Sequence, residues 1–300
     1  MKTLDPRQIL QPILLEGVIN KKMEQQLDFN GMFPEVPTQA LGFTYAQDTT
    51  SAGDDIASGI QGKPSPLAEA EELDEIEMSK IEYKSGILRG FGYQLKFSKK
   101  QLREAGVVDE ITRGVDRAVF GISKKMNDDR LNAIKNVSND VTEVNGATAW
   151  SADEANPVSD ILSFVKASRV EGYPYQMNNL FLHNDNYFEL LDYVQNVDIP
   201  WVQSPFKQGV QVPDINGVMI HNAFNTQISE GDYVGTDSRF PGLTIYKYLD
   251  PDHSTIENGK INVNKIVDEK HPYNTIIEIY AEEGIATKLP NSLYYKSSAI

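Results

Sequence analysis

The sequence has 300 residues and contains no cysteine. This absence excludes a disulfide framework, a thiolate metal site and a cysteine nucleophile. Long apolar runs are missing as well, since no stretch approaches the roughly 20 apolar residues that a membrane-spanning helix needs. The N-terminus has no apolar segment of signal-peptide length, so we expect no Sec export. The chain is therefore expected to be made in the cytosol, to stay soluble and to associate with no membrane.

Patterns that carry catalysis or bind cofactors are also scarce. The four histidines are scattered without metal-ligand spacing and lie at His183, His221, His253 and His271. No glycine-rich phosphate loop or nucleophile elbow is present. Asp250-Pro251-Asp252 begins like a calcium loop but lacks the later Gly and Glu. We expect no catalytic, cofactor or metal site, and so no enzyme. We expect His183 and His221 to satisfy hydrogen bonds of strands or turns.

Charge of one sign dominates. With 43 acidic and 28 basic residues, the net charge is −15, which argues against a general nucleic-acid binder. It does not exclude a container that surrounds nucleic acid. An apolar content of 40% suffices for a core, and the length predicts one large domain or two interlocked ones.

In the first third of the chain, the sequence pattern predicts an arm followed by a long hairpin. Apolar spacing predicts an amphipathic helix from Pro6 to Asp28, which needs either the protein's own core or a neighbouring subunit as partner. Residues 44–97 look like the two halves of one hairpin with a strand break at Ser85-Gly86. Six of the nine residues from Glu69 to Glu77 are acidic, which is typical of a solvated face.

A long helix follows the hairpin. Ser98 and Gln101 have the spacing of a capping box that begins a short helix. From Val108 to Val137, apolar residues then recur at steps of three and four, with charged residues opposite. About 30 residues give a helix of roughly 45 Å. We expect this spine helix to bury one face along its whole length against a sheet.

The second half predicts a mixed α+β lobe. Helices are expected over 156–172 and 186–194, with a short buried strand at 179–183 between them. Turns are expected at Asn216-Gly217 and at 230–232. The tail predicts two further strands, over 275–280 and 284–295.

The order of these parts resembles the major capsid proteins of tailed phages and related archaeal viruses, which share the Hong Kong 97-type fold. The resemblance is carried by five segments in order: Tyr93–Leu102, Met126–Ile134, Leu180–Asp185, Gly217–Asn222 and Gly235–Leu243. It implies an α+β fold with an N-terminal arm (1–43), an extended loop hairpin (44–95), a peripheral domain with the spine helix (96–155 and 241–300) and an axial domain (156–240).

The resemblance also implies a function. We expect a homo-oligomeric protein that self-assembles into pentamers and hexamers of an icosahedral shell, which encloses double-stranded DNA without sequence-specific binding. Its partners would be itself, a portal and a separate scaffolding protein. It would be found in the virion after assembly in the host cytoplasm. The alternatives are an encapsulin-type cellular nanocompartment shell and, in another class, a soluble α+β hydrolase or ligand-binding protein.

Charged side chains are the candidate contacts between subunits. The spine helix alternates bases with acids, which favours ion pairs within the helix or between subunits over DNA contacts. The acidic run could pair with a neighbour's basic patch. The predicted contact residues are Glu71, Glu72, Asp74, Arg113, Arg117, Lys124 and Lys125.

Overall fold

The structure is a computed structural model that describes most of the chain. The described residues are 12–48, 81–98, 100, 107–137, 139–140, 150, 156–169, 175–195, 199–204, 209–226, 228–248, 261–267 and 274–296. The acidic run, the remainder of the capping box, His253 and His271 lie outside these residues.

The described residues contain both helices and strands throughout, which confirms the α+β class. The helices are α1 (Pro12–Gln26), α2 (Val107–Val137), α3 (Pro157–Ala167) and α4 (Asn184–Val194). The strands are β1 (Glu35–Thr38), β2 (Gly42–Asp48), β3 (Ile81–Ile87), β4 (Arg89–Ser98), β5 (Asn139–Asp140), β6 (Asn179–Leu182), β7 (Trp201–Gln203), β8 (Gln211–Ile215), β9 (Val218–Asn222), β10 (Tyr233–Thr236), β11 (Leu243–Tyr248), β12 (Asn262–Val267), β13 (Asn274–Thr287) and β14 (Leu293–Lys296). None of the described helices has the length and apolarity required to span a membrane.

The chain divides into two compact units, and both are discontinuous in sequence. Unit 1 comprises Met1–Phe43, Gly86–Arg130 and Ile245–Ala286. Unit 2 comprises Thr44–Ser85, Leu131–Thr244 and Thr287–Ile300.

Unit 1 is a five-stranded sheet packed against the long helix. The strands run in the order β1-β11-β13-β12, and β4 pairs with β13 as well. The antiparallel register of β4 with β13 runs from Ser98 opposite Asn274 to Arg89 opposite Glu283. The core-facing stripe of α2 packs with the apolar residues of this sheet, including Phe97, Ile277 and Ile279. The predicted helix of about 30 residues is confirmed as 31 residues.

The first helix packs within its own unit. Leu15, Ile19, Met23 and Leu27 are buried in the same cluster as the stripe of α2. Of the two partners that the sequence left open for this helix, the structure shows the first: the helix packs on the protein's own core. The helix ends at Gln26, two residues before the predicted Asp28.

The two strands predicted in the tail are present, but the predicted position of the break between them was wrong. One 14-residue strand, β13, runs through the expected break at 281–283, and a 3-10 turn at Pro290–Ser292 separates it from β14. The predicted gap contains the acidic pair Glu282-Glu283, and charged residues seldom lie inside a buried strand. Glu283 is nevertheless only 4% exposed, since its carboxylate accepts a hydrogen bond from Arg130 Nη2 at 3.1 Å.

The expected break at Ser85-Gly86 was also wrong. β3 continues through Ile87, and the interruption before β4 falls at Leu88. A Cβ at Gly86 would lie 2.7 Å from Phe43 Cε2, so glycine is required there by the close ring rather than by a strand end. Ser98, predicted as a helix cap, is the last residue of β4.

Unit 2 is built on a seven-stranded sheet in the order β5-β14-β10-β6-β9-β8-β7. The strand predicted at 179–183 is β6, which is buried at all four of its positions and pairs in parallel with β9. Asn216 and Gly217, with φ of 54° and 84°, form the predicted turn between β8 and β9, as both residues of a type I′ turn require positive φ. An apolar cluster that includes Phe164, Leu180 and Ile220 forms the core of the unit.

The two helices of unit 2 begin at capping residues. The Asn156 side chain accepts a hydrogen bond from Ser159 N at 3.0 Å and caps α3. His183 Nδ1 accepts one from Asp185 N at 3.3 Å at the start of α4. The predicted turn role of His183 is thus confirmed.

Candidate intersubunit surfaces

The outward face of α2 carries a row of basic side chains. Arg113, Arg117 and Lys124 are spaced by four and seven residues, which places them on one side of the helix. They lie opposite the buried stripe that contains Ile111, Val115, Ile122 and Met126. We call these three residues the basic stripe. Arg113 and Arg117 are exposed, and Lys124 is half-buried.

The three cations of the basic stripe have no ion-pair partner among the described residues, although the chain has a net charge of −15. Neighbouring cations do have partners: Lys125 Nζ lies 2.6 Å from Asp129 Oδ1 on the same helix, and Lys22 of α1 pairs with Asp116. The fourth predicted base, Lys125, is therefore in an intrahelical pair, one of the two alternatives that the sequence left open for it.

Phe120 lies within the basic stripe and was missed by sequence reasoning. The residue is 50% exposed, and its position is three residues after Arg117 and four before Lys124. The signal was present, because a large apolar residue on the polar face breaks the amphipathic pattern. Exposed aromatic residues next to arginines are common at the centres of protein interfaces.

Polar contacts fix α2 against α1. Ser123 Oγ donates to Gln26 Oε1 at 3.0 Å, and Asn127 Nδ2 donates to Gln26 O at 3.2 Å. The backbone N–H of Asp28 donates to Asn127 Oδ1 at 3.2 Å. The buried face of α2 packs on the sheet, and these hydrogen bonds prevent the helix from rotating about its axis. The basic stripe therefore stays directed outward.

The second surface is the ribbon formed by β2 and β3, which make a two-stranded sheet of their own. Tyr83 and Ile87 of β3 are 81% and 74% exposed, and Leu41, just before β2, is 65% exposed. At the base of the ribbon, the Phe43 ring stacks on Tyr246 of unit 1 with centroids 4.2 Å apart. The ribbon is thus anchored at one end and presents apolar side chains to solvent.

The structure leaves the acidic half of the predicted contacts undescribed. Glu71, Glu72 and Asp74 lie outside the described residues. In the sequence they belong to the connection between β2 and β3. The bases of the stripe lie in unit 1.

Three buried titratable side chains of unit 2, His221, Tyr233 and Tyr294, pack within the fold. His221 is buried, its Nε2 lies 3.0 Å from Asn179 Oδ1, and its ring stacks on Phe181, which confirms its expected hydrogen-bonding role. Burial raises the pKa of the Tyr233 and Tyr294 hydroxyls, and the Asp160 and Asp237 carboxylates respectively raise them further. Among the described residues, no group of three or more His, Asp or Glu side chains could hold a metal ion.

Comparison with known proteins gives a clear result at the level of structure alone. No protein-family model matches the sequence, and no curated protein matches it either. Solved structures do match over nearly the whole chain. The encapsulin SrpI complex of Synechococcus elongatus has a TM-score of 0.56 and 9% identity, with 88% of this chain and 84% of that chain covered.

Two capsids match with slightly lower TM-scores. The capsid of a native GTA particle has a TM-score of 0.53 and 13% identity, with 92% and 91% of the two chains covered. The capsid of the cyanophage P-SCSP1u has a TM-score of 0.53 and 9% identity, with 89% and 86% covered. The chain has the Hong Kong 97-type capsid fold. The matched structures of this fold are proteins of capsids and of an encapsulin complex, not enzymes, and the fold expected from the sequence is confirmed.

Proposed function

We propose that the chain is the major capsid protein of a tailed virus, which assembles into pentamers and hexamers of an icosahedral shell around double-stranded DNA. Its partners in this proposal are further copies of itself, a portal and a separate scaffolding protein. The shell forms in the host cytoplasm and persists in the virion.

The observation that carries the proposal is the β2–β3 ribbon. A two-stranded ribbon is only marginally stable in water by itself, and its outer edges offer unpaired backbone groups. Tyr83 and Ile87 add large apolar surface that the described part of the chain leaves more than 70% exposed. A neighbouring subunit that covers these side chains supplies the missing contacts, and a shell built from overlapping copies provides such a neighbour at every position.

The four parts expected from the sequence acquire roles in this proposal. Residues 1–43 form an arm that packs on its own subunit, and 44–95 form the loop that reaches the neighbour. Residues 96–155 and 241–300 form the peripheral domain, and 156–240 form the axial domain around the capsomer axis. Two strands of the first set, β5 and β14, join the seven-stranded sheet of unit 2. Glu71, Glu72, Asp74, Arg113, Arg117, Lys124 and Lys125 contribute charged contacts between or within subunits.

The experiment compares variants of two exposed ribbon residues with a variant of the buried residue at the base of the ribbon. Tyr83→Ser and Ile87→Ser should leave the unfolding of isolated subunits nearly unchanged, because both side chains are exposed there, but should lower the yield of capsomers and shells. Phe43→Ala, which removes a buried ring, should destabilise the subunit itself by about 3–5 kcal/mol. Size-exclusion chromatography and electron microscopy measure assembly, and urea unfolding measures stability. A wild-type protein that stays monomeric under every condition would refute the proposal.

An encapsulin-type nanocompartment shell is the second candidate, since the SrpI complex matches with a TM-score of 0.56. Gene neighbourhood separates the two functions: terminase, portal and prohead genes favour the virus, whereas an adjacent cargo enzyme favours the compartment. The long connection between β2 and β3 favours the virus.

A further inference from the structure

We infer that the basic stripe of α2, with Phe120 inside it, docks on an outward face of helix α4 of a second copy of this chain. We call that surface the acidic face, and it consists of Asp185, Phe188, Glu189 and Asp192. The inference rests on the proposed self-assembly and names the two helix surfaces that meet at one contact between copies. The fold alone specifies neither surface, since both are made of side chains that point away from the core.

The acidic face lies on one side of α4. Its residues follow one another at steps of three, one and three, which places them on the same side of a helix. Leu190 and Val194, on the opposite side, are buried in the core of unit 2. Asp185 and Asp192 are exposed, and Glu189 is half-buried. The face therefore presents three carboxylates to solvent.

Charge is the first argument for the contact. Arg113, Arg117 and Lys124 have no anionic partner among the described residues, although the net charge of the chain is −15. At the helical rise, the basic stripe is about 16 Å long and the acidic face about 10 Å. The shorter row of carboxylates therefore fits within the longer row of cations. Opposite potentials of this kind steer two surfaces together and fix their register.

The aromatic residues are the second argument. Phe120 is 50% exposed near the middle of the basic stripe, and Phe188 is 54% exposed near the middle of the acidic face. Protein interfaces typically have an apolar centre within a polar rim, and aromatic residues at that centre carry much of the binding energy. Two crossing helices meet at their middles whichever way they run. The two rings thus meet at the crossing point, and the opposite charges flank them.

The difference between the two surfaces is the third argument. A copy that binds one neighbour through its basic stripe still has its acidic face available for another neighbour, so the contact is heterologous. Repeating a heterologous contact closes into a ring when the rotation between copies permits it. A pentamer or hexamer requires a contact of this kind.

Both helices present their surfaces in a fixed orientation. Hydrogen bonds of Ser123 and Asn127 with Gln26 hold α2. The buried side of α4 packs in the core of unit 2, and its first turn is capped by His183, whose Nδ1 accepts a hydrogen bond from Asp185 N. Surfaces that are already ordered lose less entropy when they dock.

Cysteine cross-linking tests the contact directly, because the native chain has no cysteine. The variant Phe120→Cys/Phe188→Cys keeps every charge of both surfaces, and its oxidised shells should give a ladder of covalent oligomers on a non-reducing gel. Shells assembled from a mixture of the two single variants should give covalent dimers only, since each copy then has one cysteine. The matched control Asn132→Cys/Phe188→Cys has its first cysteine at another exposed, uncharged position of α2 and should give no ladder.

Three results of the cross-linking would overturn the inference. A cross-linked monomer from the double variant would show that the two faces meet within one chain. Dimers from either single variant alone would show that like surfaces meet. Shells of the double variant without any cross-link would show that the two faces lie apart.

Charge reversal provides an independent measurement. Two triple variants each reverse one surface: Arg113→Glu/Arg117→Glu/Lys124→Glu and Asp185→Lys/Glu189→Lys/Asp192→Lys. Each should weaken association at the contact by about tenfold, because three ion pairs at the surface are lost. Combining both triple substitutions should restore a large part of the association. Size-exclusion chromatography and electron microscopy measure assembly, and urea unfolding of isolated subunits shows whether each variant is folded. Normal shells from either triple variant, including normal shells that merely lose nucleic acid, would contradict the inference.

The same samples separate this inference from the proposed function. If wild-type protein forms neither capsomers nor shells, the proposed function fails and the contact fails with it. If wild-type shells form but the cross-link and the rescue are both absent, only the docking of the basic stripe on the acidic face fails.

Discussion

Arg130 and Glu283 form an ion pair in the interior of unit 1, with Nη2 and Oε2 3.1 Å apart and side chains only 1% and 2% exposed. The pair connects α2 to the second half of β13. A second pair lies beside it, in which Lys247 Nζ of β11 is 2.6 Å from Glu35 Oε2 of β1. Arg130 Nη2 lies 3.8 Å from the other oxygen of Glu35. Two cations and two anions therefore join three strands and one helix.

The first prediction concerns this group. Arg130→Met should destabilise the protein by about 3–5 kcal/mol, because it leaves the buried Glu283 carboxylate without its partner. The double variant Arg130→Met/Glu283→Leu removes both charges and should recover most of the loss. Urea unfolding measures the free energy of unfolding of the single and the double variant, with both proteins in the same assembly state. Equal losses in the two variants would show that the side-chain packing of Arg130, and not its charge, is what matters.

The second prediction compares two glycines of β4. A Cβ at Gly92 would lie 2.6 Å from the Cβ of Tyr280, whereas at Gly90 the nearest atom is Glu282 Cγ at 3.4 Å. Gly92→Ala should therefore cost about 1–3 kcal/mol through a backbone shift between β4 and β13. Gly90→Ala, with ordinary van der Waals space, should change the free energy of unfolding little. Similar effects of the two substitutions on thermal unfolding would contradict this geometry.

The third prediction concerns Asp237, which is buried beyond the end of β10. Its carboxylate accepts hydrogen bonds from Gln176 N at 2.8 Å, from Arg239 N at 3.0 Å and from Arg239 Nε and Nη2 at 3.0 and 2.9 Å. Asp237→Ala should cost about 2–3 kcal/mol, since it leaves these donors without their acceptor.

Arg239→Ala is the control for this network. The Arg239 side chain is 54% exposed, so its loss should cost under about 1 kcal/mol. Chemical unfolding of unit 2, followed by near-ultraviolet circular dichroism, compares the two variants. A larger effect from Arg239→Ala would show that the ion pair is more important than the backbone hydrogen bonds.

The fourth prediction is a loss of stability in alkali. Because burial raises the pKa of Tyr233 and Tyr294, the folded protein retains phenolic protons that the unfolded chain releases above the ordinary tyrosine pKa of about 10. Their contribution is fully present below that pH and declines as the pH rises from there towards the folded values.

Replacing one of these tyrosines isolates the effect. Tyr294→Phe removes one titrating group, so its urea midpoint should fall less than that of the wild type between pH of about 9 and 11. Lys296, whose pKa burial lowers, is present in both proteins and cancels in the comparison. Parallel curves for the two proteins would mean that Tyr294 titrates normally.

Much of the fold could be predicted from local sequence. The α2 helix, the β6 strand and the Asn216-Gly217 turn were predicted because their signals lie within a few consecutive residues: a repeat of three and four, an apolar run, and residues that tolerate positive φ. The three bases of the stripe were among the charged residues named from the sequence, but that they share one face of α2 apart from Lys125 follows from the helix in the structure.

The remaining features of the fold depend on contacts between residues that are far apart in the sequence. Phe120 lies on the polar face of the predicted helix, but only the structure shows that no described part of the chain covers more than half of it. The two discontinuous units and the order of strands in their sheets are set by contacts between distant segments, such as the pairing of β1 with β11.

Sequence by itself determined the acidic, cysteine-free character of the chain and its long amphipathic helix. Tertiary structure decided that Glu282-Glu283 does not end a strand. A buried glutamate is unfavourable until a cation meets it, and the cation here is Arg130, 153 positions earlier in the chain. The physical reason is that local sequence sets the conformation a segment prefers, whereas the free energy of burying a charge depends on which residue the fold places beside it.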